Sequence, residues 1–397
     1  RTYKHITRNI CYMAGTYTSP SWSGLPTDIL LSILQCLELP QAIVFALVCK
    51  SWRSAATVAG IPHSGTPWLM SWRDLLEERK DQVKGSSAVT CKFRHLLDVD
   101  KVYDGHEFFC PLLTCCGASH GSLILVNELC DLVLYNPFTL AMISLPPVTD
   151  FSFVEAVYDD EGNKEGYLYD KGGVYKAKDL AASFYQMAVL SCSPLKKDEY
   201  SVVIIHCDGS WLSLARAGEG KWQVVSTLDV SSQGRYADCA YHNGSLYTVT
   251  LQGTVEKWDL DGLNGPAKEI IANKRHNAPI LTRHLVPTQL LQASAVLEIG
   301  CRTLAESVRF ELCKVDSTCK IGSQATASSV LQHAMFIGLN HSVCLSTNKY
   351  FLLRCHSWKG VKIYNLKRKT LKDAIPSSAH KYASYPPPSE VWIAPYI

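Results

Sequence analysis

Gly117-Ala118-Ser119-His120-Gly121 has the spacing of a serine nucleophile string. Such a serine works only when a sharp strand-to-helix elbow lifts its hydroxyl toward an oxyanion hole. Leu123-Ile124-Leu125-Val126 follow instead, and a run of large aliphatics predicts a strand, so the string is expected to be a turn. The 13 histidines include no His-Glu-x-x-His pair and no spacing with cysteine that would hold zinc. No Gly-x-x-x-x-Gly-Lys-Ser/Thr phosphate loop is present. Asp159-Asp160-Glu161 could attract a cation, yet the Gly162-Asn163 that follows predicts a solvated hairpin tip. No catalytic residue, cofactor or metal ligand is therefore expected. The aromatics Trp211, Trp222, Trp258 and Tyr247 are expected as core.

Composition narrows the class further. The 397 residues allow a small module plus one large domain. Apolar residues make up 47% and charged residues 19%, which opposes global disorder. The net charge of +3 is too weak and dispersed for nucleic-acid binding. Lys367-Arg368-Lys369 is read as an exposed turn after a strand rather than a nuclear signal. No apolar stretch reaches the length of a membrane span, and the first 25 residues carry no continuous apolar core of a secretory signal. The 16 cysteines are scattered, without Cys-x-x-Cys, and are read as reduced small hydrophobes of a cytoplasmic or nuclear protein. The sequons at Asn243-Gly244-Ser245 and Asn340-His341-Ser342 would then stay unmodified.

Three elements must position whatever the N-terminal part does. Residues 1–21 are expected as a flexible lead-in. In the segment from Leu25 to Leu37, apolar side chains at 29, 30, 33, 34 and 37 make one helical face. Pro26 suits the helix start and Asp28 complements the dipole there. Pro40 ends that helix and opens a second, Gln41–Lys50, which is almost wholly apolar. Ser51-Trp52-Arg53-Ser54-Ala55-Ala56 follows as a third amphipathic piece. Helices this short bury little by themselves. Their apolar surplus predicts a partner that covers it, the alternative being a helical cap on the following domain.

Leu25, Pro26, Asp28, Ile29 and Leu30, then Leu39, then Val48, Cys49, Lys50, Trp52 and Arg53 together resemble the F-box motif. The family's usual Asp before the second helix is replaced here by Leu39-Pro40-Gln41. The resemblance covers residues 22–62 as an F-box. It implies docking on the Skp-type adaptor of a cullin-RING ubiquitin ligase, carried by Leu25, Pro26, Ile29, Leu30, Leu34, Val48 and Trp52.

From Pro67 onward, alternation and turn punctuation dominate. His120-Gly121-Ser122, Asp208-Gly209-Ser210 and Asn243-Gly244-Ser245 each predict a tight turn entering a strand. Their spacing is compatible with a repeat of roughly 40–45 residues. Further strands are expected at Trp222–Val225, Thr254–Leu260, Ser201–His206, Ala295–Ile299, Val308–Cys313, Ala334–Leu339 and Val361–Leu366. Many short strands over residues 67–397 predict a mainly β fold with a small N-terminal α module. A propeller of six or seven blades fits best, with a solenoid or two sandwiches as alternatives.

Tyr135-Asn136-Pro137-Phe138 with Ile143-Ser144-Leu145-Pro146-Pro147, together with the segments Val361–Leu366 and Pro386–Pro395, resemble plant F-box proteins with a KIB-type β-propeller. Cys355-His356-Ser357-Trp358-Lys359 departs from that pattern by its shortness. The resemblance implies a non-catalytic substrate-recognition subunit of an SCF-type ubiquitin ligase. The F-box would reach a cullin through the adaptor while the propeller binds a target protein. The alternative is a protein-binding regulator acting without ubiquitin transfer. Neither nucleic acid nor membrane is an expected partner.

Overall fold

The computed structural model describes residues 22–37, 39–59, 68–71, 89–95 and 102–108. It describes 112–315 with breaks at 137–140, 170–172, 195–198, 230–233, 274–279, 287–290 and 300–305. Beyond that it describes 333–337, 343–346, 351–353, 361–365, 370–375 and 390–393. The expected lead-in, the Cys355–Lys359 departure, the basic Lys367–Lys369 turn and the sequon at Asn340 fall outside these residues.

Three helices come first: α1 (Thr27–Gln35), α2 (Leu39–Leu47) and α3 (Lys50–Ala59). All else among the described residues is sheet, apart from two single 3-10 turns and one short helix, α4 (Ala177–Ser183).

The strands form seven antiparallel-dominated sheets. Six of them line up through their inner strands. Those strands are Glu390–Ile393, Leu112–Ser119, Tyr185–Leu190, Tyr236–His242, Ile280–Val286 and His333–Ile337, each lying against the next. They define blades one to six of a β-propeller. Blade one takes its inner strand from the far end of the chain: Glu390–Ile393 pairs antiparallel with Trp68–Ser71, Trp68 facing Ile393 and Ser71 facing Glu390. Val89–His95 and Val102–Phe108 complete that blade. Helix α2 rests on its outer strand, Val102–Phe108.

The middle strands of blades two and three are covered on both faces. Ser122–Asn127, Leu132–Tyr135 and Ser201–His206 are accordingly buried almost end to end. This is why their sequences are unbroken aliphatic runs rather than alternations. Outer strands such as Gln223–Thr227 and Ala267–Asn273 are largely in contact with water.

The turn phrases hold the backbone that was expected. His120 and Gly121 both have positive φ (49° and 71°), as do Asn243 and Gly244 (48° and 77°). Tight hairpins need this, because such a turn matches the strand twist. The repeat reading is corrected in one respect. The phrases at 120 and 243 join first to second strands of blades two and four, whereas the phrase at 208 joins second to third in blade three. They are not copies of one blade position.

The seventh sheet is not a blade. Val154–Tyr158, Lys164–Tyr169 and Val174–Tyr175 form a three-stranded sheet between the last strand of blade two and the first of blade three. Inner strands Leu112–Ser119 and Tyr185–Leu190 touch directly, so this sheet lies outside the ring. Gly117 permits that approach, since a Cβ there would collide with the carbonyl of Ala188. One large core spans blades two and three and the underside of the inserted sheet, from Ile124 and Leu134 through Phe151 and Tyr167 to Val202 and Ile204.

Candidate functional site

The first candidate surface is the helical unit. Helix α1 starts after Pro26, whose extended backbone (φ −57°, ψ 147°) sets the entry and whose carbonyl accepts from Leu30 N–H at 3.1 Å. Asp28 sits in the first turn, where the dipole favours it. At the far end Cys36 N–H returns to Ile33 O at 3.0 Å. The three helices share a small interior of Leu30, Leu34, Ala42, Phe45, Ala46, Ala55 and Ala56. Phe45 packs on Trp52 with centroids 4.4 Å apart. Trp52 donates its indole N–H to the Trp22 carbonyl at 2.9 Å, and Ser51 donates to the Ser23 carbonyl at 2.7 Å. Arg53 Nε closes the end of α2 by donating to Ala46 O at 3.3 Å. Cys49 Sγ lies 3.1 Å from the Ser51 hydroxyl.

The expected docking residues divide by exposure. Leu30 and Leu34 are each 1% exposed and belong to the interior. Leu25 and Trp52 are half-buried, and Pro26 is exposed. Ile29 at 44% and Val48 at 54% stand in solvent, joined by Val44, Val58 and Trp22, which the sequence reading had not selected. Val44 lies on α2 four residues before Val48, which directly follows that helix, a spacing that was available in the sequence. These exposed aliphatic groups give a small helical unit an apolar surface that its own interior does not cover.

The second candidate surface is the inserted sheet, and its anchoring is rigid. Tyr167 is completely buried beneath it and donates its hydroxyl to the Leu129 carbonyl in the turn of blade two. Lys164 Nζ lies 3.1 Å from that hydroxyl and 4.9 Å from the ring centroid. Asp131 accepts Val148 N–H at 2.8 Å, and Tyr185 donates to Cys130 O at 3.2 Å. Trp222 donates its indole N–H to Pro146 O at 2.9 Å and its backbone N–H to Asp150. Phe151, Phe153, Phe184 and Trp211 surround the imidazole of His206. Burial drives the His206 pKa down to about 3, so its ring is neutral between Ser213 Oγ (2.8 Å) and Cys207 Sγ (3.0 Å).

Ser119 ends an inner strand and is followed by the two-residue hairpin at His120-Gly121, not by an elbow and helix. Asp159, Asp160 and Glu161 form an exposed tip, with Asp159 Oδ1 accepting from Glu161 and Asn163 N–H at 3.0 and 2.7 Å. Trp222, Trp258 and Tyr247 are buried and Trp211 half-buried, as expected for core. Cysteines among the described residues are free, and no cluster among those residues could hold a metal ion.

Comparison with known families agrees with this architecture. The F-box domain model matches residues 22–59, and the KIB1-4 beta-propeller model matches residues 96–374. F-box protein At1g10110 of Arabidopsis thaliana is 23% identical over 311 residues, covering 75% of this chain and 72% of that protein. Putative F-box protein At4g17565 of the same plant is 31% identical over 135 residues, so the match spans only 34% of its length. Helical unit, ring and matched models coincide: the chain belongs to the KIB1-4 beta-propeller family and carries an F-box domain ahead of its propeller.

Proposed function

We propose that this chain is the substrate-recognition subunit of an SCF-type ubiquitin ligase. Its F-box docks on the Skp-type adaptor, and its propeller holds a target protein. The work is done by proximity: tethering raises the target's effective concentration beside a ubiquitin-charged enzyme. No side chain of this chain takes part in bond making, and the complex acts in the cytoplasm or nucleus. No helix among the described residues is long and apolar enough to cross a membrane.

The observation that carries this reading is the exposed aliphatic set on the F-box, above all Ile29 and Val48. Pro26 and the half-buried Leu25 and Trp52 flank the docking surface. Leu30 and Leu34 support it from behind. Full-length protein co-expressed with a Skp-type adaptor tests this. Ile29→Asp with Val48→Asp weakens adaptor binding by roughly 30-fold or more, the range of interface hot spots, while the melting temperature holds. Leu30→Ala instead lowers stability by about 2–5 kcal/mol through an interior cavity. Undiminished adaptor capture by the double variant overturns the proposed surface. Co-purification of a cullin separates ligase action from simple masking of a target.

A further inference from the structure

The inserted sheet has a second face that the ring does not use. Its underside is taken up by Tyr167 and the core below. Residues next to Tyr167 in sequence point the other way. On that outer face Leu168 sits directly between Val174 on one neighbouring strand and Glu155 on the other. Leu168 is 37% exposed and Val174 is 54% exposed. A sheet with one solvated face ordinarily places polar residues there. The next rung pairs Val157 with Gly166, which is buried because the Tyr175 carbonyl and the Val174 side chain close over it.

Charge accompanies this apolar strip. The hairpin from 154 to 169 holds five carboxylates, at Glu155, Asp159, Asp160, Glu161 and Glu165, against one lysine, in a chain whose net charge is +3. All five are exposed. The lysine, Lys164, is held at the Tyr167 hydroxyl. Asp170 and Lys171 follow the hairpin as one charge of each sign, and Lys176 and Lys178 come after the last strand, around the start of α4. The sheet is tied to blade two by the Tyr167 hydroxyl on the Leu129 carbonyl, and Val154 and Tyr167 belong to the core shared with blades two and three, so binding there orders little that is not already ordered.

We propose that this outer face is the target-capture surface of the propeller, and that its ligand is a short protein segment bearing lysine or arginine beside aliphatic or aromatic side chains. The inference rests on the reading of the chain as a substrate receptor. Leu168 and Val174 supply the apolar contact. The acidic tip supplies attraction and orientation for the basic groups.

The test uses full-length protein bound to its adaptor. The probes are a fluorescent peptide alternating lysine with leucine and its counterpart alternating glutamate with leucine. The lysine peptide is expected to bind more tightly, and increasingly so as salt is lowered. Its affinity is expected to fall about tenfold in Asp160→Lys with Glu161→Lys, and to a similar degree in Leu168→Ser with Val174→Ser. Every substituted position is exposed, and thermal melting confirms that each variant folds. Equal binding of the two peptides, or binding indifferent to both double variants, overturns the proposal. Adaptor capture is read in the same samples. Intact adaptor binding with no peptide preference defeats this inference alone, and peptide preference without adaptor binding defeats the ligase reading alone.

Discussion

His206 is a base buried where it cannot take a proton. Its pKa lies at about 3 rather than 6.5 because burial among aromatic rings penalises the imidazolium. An unfolded chain protonates this histidine below about pH 6.5 and the folded chain does not. The unfolded state therefore binds more protons between those values, and stability rises with pH across the window. The contribution of His206 is complete above pH 6.5 and is lost as pH falls toward 3, at about 1.4 kcal/mol per pH unit. Urea midpoints measured from pH 7 to pH 4 are expected to show this slope, and His206→Gln is expected to flatten it. Nothing in the sequence marked His206 among 13 histidines. Its role comes from Phe151, Phe153 and Phe184, which are distant in sequence and meet only through the insertion. The F-box residues show the opposite case. Their helical stripe was legible, but Ile29 and Leu30 are adjacent on it. Only the docking of the three helices on one another decides that Leu30 is interior and Ile29 is free.

At the scale of elements, the strands and hairpin turns were legible and their grouping was not. The length of the β region, divided by about 45 residues per blade, offered six or seven blades without choosing, because the inserted strands are counted in that length. The choice is made by the contact between Leu112–Ser119 and Tyr185–Leu190, which skips the inserted sheet. Gly117 is the residue that makes this contact possible. Gly117→Ala is expected to destabilise the propeller by about 1–3 kcal/mol, because the new methyl meets a backbone carbonyl that cannot rotate away. Thermal melting checks this, and an unchanged midpoint would show that the two inner strands lie farther apart. Asp238 serves the junction of blades four and five. Its carboxylate accepts N–H from its neighbour Cys239 at 2.7 Å and from Leu285 of blade five at 2.8 Å.

For the whole molecule, the ring depends on one late strand. Trp68–Ser71 has Val89–His95 on one side and Glu390–Ile393 on the other. Removing residues 390–397 leaves Trp68–Ser71 as an unpaired edge and takes away the strand that lies against Leu112–Ser119 of blade two. Such a truncation is expected to aggregate on gel filtration and to melt less cooperatively, while the three-helix F-box still captures adaptor. A monodisperse, cooperative truncation would show that the closing strand is dispensable. The F-box leans on the outer strand of blade one, so the helical unit and the inserted sheet are carried by neighbouring parts of one ring.

That closing strand also sets an order of events during synthesis. A growing polypeptide releases the three helices early, but blade one stays open until residues 390–393 have left the ribosome. A translating chain thus exposes a folded F-box before its ring is complete. A prematurely terminated product would carry that F-box beside an unfinished ring.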